Sequence, residues 1–135
     1  MESRKGFTLV ELMVGILIVA ILAATLVPIC RGLIDSSKWS EGVAAMDTIA
    51  TALQVYAAEK GADGNYGSNL PTFSELGFTV GDFKGQYFDI SNYEVGKVSY
   101  KKGKLKYKIK ATAPVGITTP REITLNEKGH LKQKK

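Results

Sequence analysis

The chain has 135 residues, of which 44% are hydrophobic and 23% charged, and a formal net charge of +5. Its length predicts one small domain, and its composition excludes disordered and collagen-like proteins. The single cysteine, Cys30, excludes an intramolecular disulfide, and we expect it to be a small buried apolar residue. One cysteine and one histidine argue against a metal site, so we expect no metal, no cofactor and no catalytic centre.

The N-terminal part is an apolar block, residues 7–29, in which the only residues that are not apolar are Thr8, Glu11, Gly15, Thr25 and Pro28. As a helix it would be about 35 Å long, enough to cross a hydrocarbon core of about 30 Å. Arg4 and Lys5 precede it and predict a cytoplasmic N-terminus. A secretory signal is the alternative, but it should have only about 7 to 15 apolar residues and end at small residues spaced A-x-A. Ala20, Ala23 and Ala24 do not have that spacing. A membrane span is therefore favoured.

Residues 30–60 are predicted to continue the helix in amphipathic form beyond a kink at Pro28. An apolar stripe recurs at steps of three and four residues and comprises Trp39, Val43, Met46, Ala50, Leu53 and Ala57. We expect the charged residues of this segment to lie mostly away from the stripe, namely Asp35, Lys38, Glu41, Asp47 and Glu59. Gly61 is predicted to end the helix and to open a connecting loop over residues 61–86.

Residues 87–135 are predicted to form an antiparallel sheet, because their apolar residues recur with period two. The candidate strands are residues 87–95, 98–113 with a turn at Lys102 and Gly103, 121–125 and 130–133. A meander of three or four strands would bury one face on the amphipathic helix and leave the other in solvent. The predicted fold class is therefore α+β, a long N-terminal helix on a small sheet.

Glu11 is the one charge in the apolar block. An ionisable group at membrane depth costs a few kcal/mol or more unless it is paired, which makes such a residue a candidate for function. The alternative is a capping box, because Thr8 and Glu11 have the T-x-x-E spacing in which each side chain satisfies a backbone donor at a helix start. Both interpretations can hold together.

The segment GFTLVELMVGILIVAILAATLVP, residues 6–28, resembles the N-terminus of type IV prepilins and of the related pseudopilins. The resemblance implies that residues 1–6 are a leader, and that a membrane-embedded prepilin peptidase cuts after Gly6 and methylates the amine of Phe7. It further implies that Glu11 neutralises the Phe7 amine of a neighbouring subunit, and that Pro28 bends the helix.

This family resemblance implies a structural rather than an enzymatic protein, a subunit of a type IV pilus and most simply the major pilin. The precursor would lie in the bacterial inner membrane with a cytoplasmic N-terminus, and the assembled product would be an extracellular homopolymer. Its partners would be other copies, the peptidase and the pilus assembly machinery, and in some systems a second pilin chain. The alternatives are a type II secretion pseudopilin, a minor pilin, or an uncleaved single-span protein with a soluble binding head.

Positive charge is concentrated near the C-terminus: residues 1–100 have net charge −4, and residues 101–135 have net charge +9. Alternate positions of one predicted strand are lysine, namely Lys102, Lys104, Lys106, Lys108 and Lys110. Such a row is most simply a solvated face that also protects a sheet edge. The functional alternative is an anion-binding stripe for DNA, an acidic polysaccharide or the acidic face of another subunit.

Overall fold

The computed structural model describes residues 6–60 and 70–134. Helix α1 covers Leu9–Lys60, and the described residues from 70 onwards comprise a loop, a short 3-10 helix at Ile90–Asn92, and four strands. The strands are β1 (Tyr93–Lys101), β2 (Lys104–Thr112), β3 (Glu122–Asn126) and β4 (Leu131–Lys134). The expected α+β class is confirmed. The chain divides into two compact units, Met1–Ile34 and Asp35–Lys135, and α1 contributes to both.

In the first unit every described residue, 6–34, is exposed. Its large apolar side chains keep about half or more of their surface accessible, from 49% for Val14 to 90% for Phe7. Cys30 is exposed as well, so the expectation that it is buried is wrong for the single chain. The reason is that this stretch of α1 has no apolar partner among the described residues. Such a helix needs lipid or other helices around it.

In the second unit, α1 buries the predicted stripe. Trp39, Met46, Ala50, Leu53 and Ala57 are buried, and Val43 is partly buried against the same core. Ile49 and Gly42 also lie in the interior, so the apolar face is wider than the predicted stripe. A Cβ on Gly42 would lie 2.9 Å from the ring of Phe88. This glycine therefore lets a buried aromatic ring approach the helix backbone closely.

Asp35 is an exception to the expectation that the charged residues of this segment lie mostly away from the apolar stripe. It is only 6% exposed, and its Oδ2 accepts hydrogen bonds from the backbone N–H groups of Thr118 and Thr119 and from the Thr118 hydroxyl, at 2.7–3.2 Å. The Thr118 donors lower the pKa of Asp35. Nearby, the Trp39 indole N–H donates to the carbonyl of Pro120. Together these bonds attach the loop before β3 to the first buried turn of α1.

Glu41 likewise holds a loop rather than lying free in solvent. Its carboxylate accepts hydrogen bonds from the backbone N–H groups of Gln86, Tyr87 and Phe88, at 3.2, 3.1 and 2.9 Å. Burial alone would raise the pKa of Glu41, but these three donors outweigh it and lower the pKa. A Cβ at Gly85 would overlap the Glu41 carboxylate, so a side chain there would displace this acceptor.

The sheet is an antiparallel meander with strand order β1-β2-β3-β4. The predicted turn at Lys102 and Gly103 is confirmed, and the last two strands, β3 and β4, are shifted by one residue from their predicted positions. The predicted strand over residues 87–95 is wrong in its first half, because residues 90–92 form a 3-10 helix capped by Asp89. Its remainder joins residues 96–101 in one strand, β1, with a bulge between Gly96 and Ser99.

The inner face of the sheet supplies the rest of the core. Alternate residues of β1 to β3 are buried there, including Tyr93, Val98, Tyr107, Ile109, Ala111, Ile123 and Leu125. Strand β4 is exposed throughout. Residues 61–69 of the predicted loop lie outside the described residues. From residue 70 the loop extends to Asp89, the residue before the 3-10 helix, and not only to residue 86 as predicted.

Candidate functional site

The start of α1 forms the predicted capping box. The backbone N–H of Thr8 and its hydroxyl both donate to Oε2 of Glu11, at 2.8 and 3.0 Å. In return the backbone N–H of Glu11 donates to the Thr8 hydroxyl at 3.2 Å. This reciprocal pairing satisfies backbone donors that a helix start leaves free.

The capping box leaves part of the Glu11 carboxylate unused. Both Thr8 donors bind Oε2, and among the described residues Oε1 accepts no hydrogen bond. The surrounding side chains are apolar and exposed, with Leu9 at 74%, Val10 at 66% and Leu12 at 63%. Oε1 of Glu11 is therefore an acceptor on a helix surface that is otherwise apolar at this point.

The other predicted residues of this region lie where the sequence placed them. Gly6 and Phe7 precede α1 and are exposed, while the basic residues Arg4 and Lys5 lie outside the described residues. Pro28 lies inside α1, which is assigned as one helix through that position; the kink there stays a prediction. Cleavage after Gly6 and methylation of Phe7 also stay predictions at this point.

The lysine row lies mainly on the exposed face of the sheet. Lys104, Lys106, Lys108 and Lys110 alternate along β2 with the half-buried or buried Leu105, Tyr107 and Ile109, as predicted. Lys102 belongs instead to the turn between β1 and β2. Strand β2 lies between β1 and β3 in the sheet, but β3 pairs only with the part of β2 from Lys108 to Thr112. Protection of a sheet edge therefore does not apply to Lys108 and Lys110 and stays a prediction for Lys104 and Lys106.

These lysines differ in their electrostatic surroundings. Lys110 forms an ion pair with Glu94 across the strands, with Nζ and Oε2 2.6 Å apart, and the hydrogen bond and charge of Glu94 raise the pKa of Lys110. Lys106 and Lys108 instead line an open depression of about 620 Å³ on the exposed face. Lys97 of β1 and Lys132 of β4 line it too. The alternating lysines of the sequence do not include these two residues, because only the folded sheet brings them to the same depression as the β2 lysines.

Within residues 6–60 and 70–134, there is no group of three or more histidine, cysteine or acidic residues that could hold a metal ion. The helix α1, by contrast, contains a stretch long and apolar enough to cross a membrane. An exposed apolar helix with one capped acid, continued by a helix packed on a four-stranded meander, is the architecture of a pilin-like α+β protein.

Comparison with known proteins agrees with this architecture. Residues 1–27 match the model of the prokaryotic N-terminal methylation motif. The chain is 36% identical over 101 residues to a type IV major fimbrial protein FimA of Dichelobacter nodosus, an alignment that covers 69% of this chain and 60% of the relative. A fimbrial protein of the same organism is 35% identical over the same span and coverage. These matches support a relationship of the chain to the type IV pilin family.

The likeness does not extend over the whole of these relatives. The chain spans 60% of their length. A further fimbrial protein of D. nodosus is 43% identical, but over 61 residues only, which cover 45% of this chain and 36% of that relative. No solved structure matches the chain significantly.

Proposed function

We propose that the chain is a structural subunit, the major pilin, of a type IV pilus. The precursor lies in the inner membrane with its N-terminus in the cytoplasm, is cut after Gly6 by a prepilin peptidase, and is methylated on Phe7. The assembly machinery then adds it to an extracellular homopolymer. The observation that carries this proposal is the capped Glu11 in a helix whose other large side chains are apolar and exposed.

The exposed apolar helix suits two surroundings in turn. Residues 9–34 expose apolar side chains at every described large hydrophobic position. In the precursor these side chains contact lipid, and in the filament they contact the same helices of neighbouring copies. A helix that is hydrophobic all round is stable in either surrounding and not in water.

Cleavage changes the chemistry at Phe7. Before the cut, the nitrogen of Phe7 is a neutral peptide N–H. After the cut it becomes an amine, which stays protonated at neutral pH when methylated. A carboxylate in apolar surroundings is costly unless it is paired with a cation. The new ammonium group of one copy therefore pairs with Glu11 of the next, and only a trimmed subunit completes the pair.

The capping box is compatible with this pairing. Thr8 binds Oε2 of Glu11, so Oε1 is the atom that accepts a hydrogen bond from the neighbouring amine. Thr8 then orients the carboxylate. Glu11 fixes the register between neighbouring copies and does not act as a catalyst. This division of labour predicts different effects for changes at the two residues.

The test compares Glu11→Ala with Thr8→Val in cells that assemble filaments. Glu11→Ala removes the pairing charge, so we expect protein that is cleaved, methylated and membrane-resident but absent from filaments. Thr8→Val removes the cap and keeps the charge, so filaments should form in reduced yield. Normal filaments from Glu11→Ala would refute the role of Glu11. Equal defects in both variants would show that Glu11 serves only as a helix cap.

The same cells distinguish the major pilin from the alternative roles. A major subunit builds long and abundant fibres, and its deletion removes them. A minor pilin or a secretion pseudopilin would leave fibres of another subunit, or only short ones. An uncleaved single-span protein would retain Met1, which N-terminal mass analysis of the purified protein detects.

A further inference from the structure

We propose that the second unit carries a surface that contacts the phospholipid headgroups of the membrane in which the precursor lies. We call this surface the Lys38 patch and define it by Lys38, Tyr87 and Val115. The inference rests on the proposed membrane span of α1. It does not depend on filament assembly through Glu11, because it concerns the subunit before it leaves the membrane.

Lys38 joins the two loops that carry the other members of the patch. Its Nζ donates a hydrogen bond to the carbonyl oxygen of Gly116 at 3.2 Å. The same Nζ lies 5.3 Å from the centroid of the Tyr87 ring, within the range of a cation–π contact. Val115, the neighbour of Gly116, has its whole surface accessible, and Tyr87 is 42% exposed. A cation, an aromatic ring and an apolar side chain therefore lie together on the surface.

Two carboxylates of α1 hold these loops in place. Glu41 accepts a hydrogen bond from the backbone N–H of Tyr87 at 3.1 Å. Asp35 accepts from the backbone N–H groups of Thr118 and Thr119 at 3.0 and 3.2 Å, in the loop that also carries Val115. The patch is therefore formed before it meets a surface, so contact does not carry the entropic cost of ordering either loop.

The course of the chain brings the start of the second unit close to the bilayer. The apolar block ends at residue 29, and Asp35 follows six residues later. These residues are helical, which gives a rise of about 9 Å. The headgroup layer on each side of a hydrocarbon core is about 5–8 Å thick. We therefore expect Asp35 to lie at the outer edge of the headgroups.

The patch lies at the same end of the second unit as Asp35. Side chains of an α-helix lean toward its N-terminus, so the long side chain of Lys38 reaches back over the turn that precedes it. Gly116 is bound to the end of that side chain, and Thr118 is bound to Asp35 itself. The loop that carries Val115 is therefore attached at the end of the unit that follows the membrane span.

The residue types of the patch suit the boundary between lipid and water. Tyrosine is enriched at this boundary, and lysine can cover apolar surface with its alkyl chain while its ammonium group stays among polar groups. Within residues 6–60 and 70–134, Lys38 forms no ion pair, so its charge can meet a lipid phosphate. Val115 adds apolar surface that is otherwise in water. Lipid is favoured as the occupant because the patch continues, along the chain, a segment that itself needs lipid.

The experiment measures how strongly lipids with a nitroxide headgroup quench a fluorescent label at position 115 of the full chain. Cys30→Ser removes the native thiol, and Val115→Cys provides the labelling site. The fully exposed Val115 packs against nothing, so the fold should tolerate this change. Lipid nanodiscs that hold one copy each prevent a neighbouring chain from occupying the patch. We expect the label at position 115 to lose most of its fluorescence.

The matched control is Val80→Cys in the same Cys30→Ser background. Val80 is likewise an exposed valine of a loop, at 75%. Its neighbours along the chain line a cavity with Ala45 and Thr48 of α1, which lie about 10–15 Å further along the helix than Lys38. The label at position 80 should therefore keep most of its fluorescence.

A label on the native Cys30 of the unchanged chain tests the membrane span separately. Strong quenching at Cys30, with equally weak quenching at positions 115 and 80, would overturn the Lys38 patch and leave the span intact. Weak quenching at Cys30 would contradict the span and the patch together. Quenching at position 115 that occurs in vesicles with many copies but not in single-copy nanodiscs would assign the patch to a second copy and would also overturn the proposal.

A charge variant tests the contact between Lys38 and lipid phosphate. One lysine near an anionic surface changes a binding equilibrium about fivefold. Lys38→Gln should therefore lower the ratio of membrane-bound to free label at position 115 about fivefold in nanodiscs with phosphatidylglycerol, and much less in phosphatidylcholine alone. Lys84→Gln, at an exposed lysine beside the control loop, should leave the ratio unchanged. An equal loss with Lys38→Gln in both lipids would mean that Lys38 only holds Gly116, and would contradict the phosphate contact.

Discussion

Replacing Glu41 with glutamine should destabilise the second unit strongly, although the two side chains have nearly the same shape. In the wild-type chain Oε1 accepts the N–H groups of Tyr87 and Phe88, and Oε2 accepts that of Gln86. A glutamine oxygen can keep the first pair as neutral hydrogen bonds. Its amide nitrogen cannot accept from Gln86, so that donor loses its partner.

The magnitude follows from these three bonds. A hydrogen bond to a charged group contributes about 1.5–3 kcal/mol and a neutral one about 0.5–1.5 kcal/mol. Two weakened bonds and one lost bond at an exposed donor therefore cost about 2 kcal/mol in the free energy of unfolding. For a unit of about 100 residues, that lowers the unfolding temperature by about 10 °C.

The assay follows the fluorescence of Trp39, which is 3% exposed in the folded chain, during thermal unfolding in detergent micelles. Glu59→Gln is the matched control, because Glu59 is an exposed glutamate on the same helix. It should shift the midpoint by about 1 °C or less. A shift at Glu41→Gln no larger than the control would refute the view that this carboxylate holds the loop.

The same comparison has a defined pH dependence. The folded-state pKa of Glu41 is lowered from its ordinary value of 4.5, so its charged form is the one that stabilises the fold. Its contribution is fully present above about pH 4.5 and is lost as the pH falls through the lower folded-state pKa. The stability gap between the wild type and Glu41→Gln should therefore close in acid. A gap that stays constant down to low pH would contradict the charge-based explanation.

Three further predictions concern single residues of the second unit. Gly42→Ala should cost about 1–3 kcal/mol, because the added methyl group overlaps a buried ring, and equilibrium denaturation by urea measures it; an unchanged midpoint would contradict this packing. Lys102→Asn should raise stability by about 0.5 kcal/mol, since Lys102 and Gly103 have φ of 50° and 73° and asparagine tolerates that conformation better; a lower melting temperature would refute it. Asp35→Asn should lower the unfolding temperature at neutral pH, and the loss should fade as the pH falls below 3.8, the ordinary pKa of aspartate, and through the lowered folded-state pKa of Asp35, because the wild-type carboxyl then becomes neutral too; a loss that persists in acid would assign it to packing.

The elements set by local pattern could be predicted from the sequence. The 3.6-residue period of α1, the glycine turn after β1 and the Thr8–Glu11 spacing each act over a few residues, and the structure has all three. The predicted start of the sheet was wrong, because Asp89 caps a 3-10 helix through local hydrogen bonds that period-two alternation does not reveal.

The features that the sequence did not reveal depend on contacts between distant residues. Asp35 and Glu41 have the positions of ordinary polar residues on an amphipathic helix. The hydrogen-bond partners of Asp35, however, lie 83 or 84 residues away in the sequence, and those of Glu41 lie 45 to 47 residues away. Likewise Lys97 and Lys132 become neighbours of the β2 lysines only through the bulge and the sheet register. The N-terminal site could be predicted from the sequence, because all of its candidate residues lie within six consecutive positions, 6–11.

The most direct test of the proposed function is a filament map at side-chain resolution from cells that express this chain. The proposal predicts that the first residue of each subunit is Phe7 with a methylated amine. It also predicts that this nitrogen lies within about 4 Å of the Glu11 carboxylate of a neighbouring copy. Subunits that begin at Met1, or a Phe7 amine far from every Glu11, would contradict it.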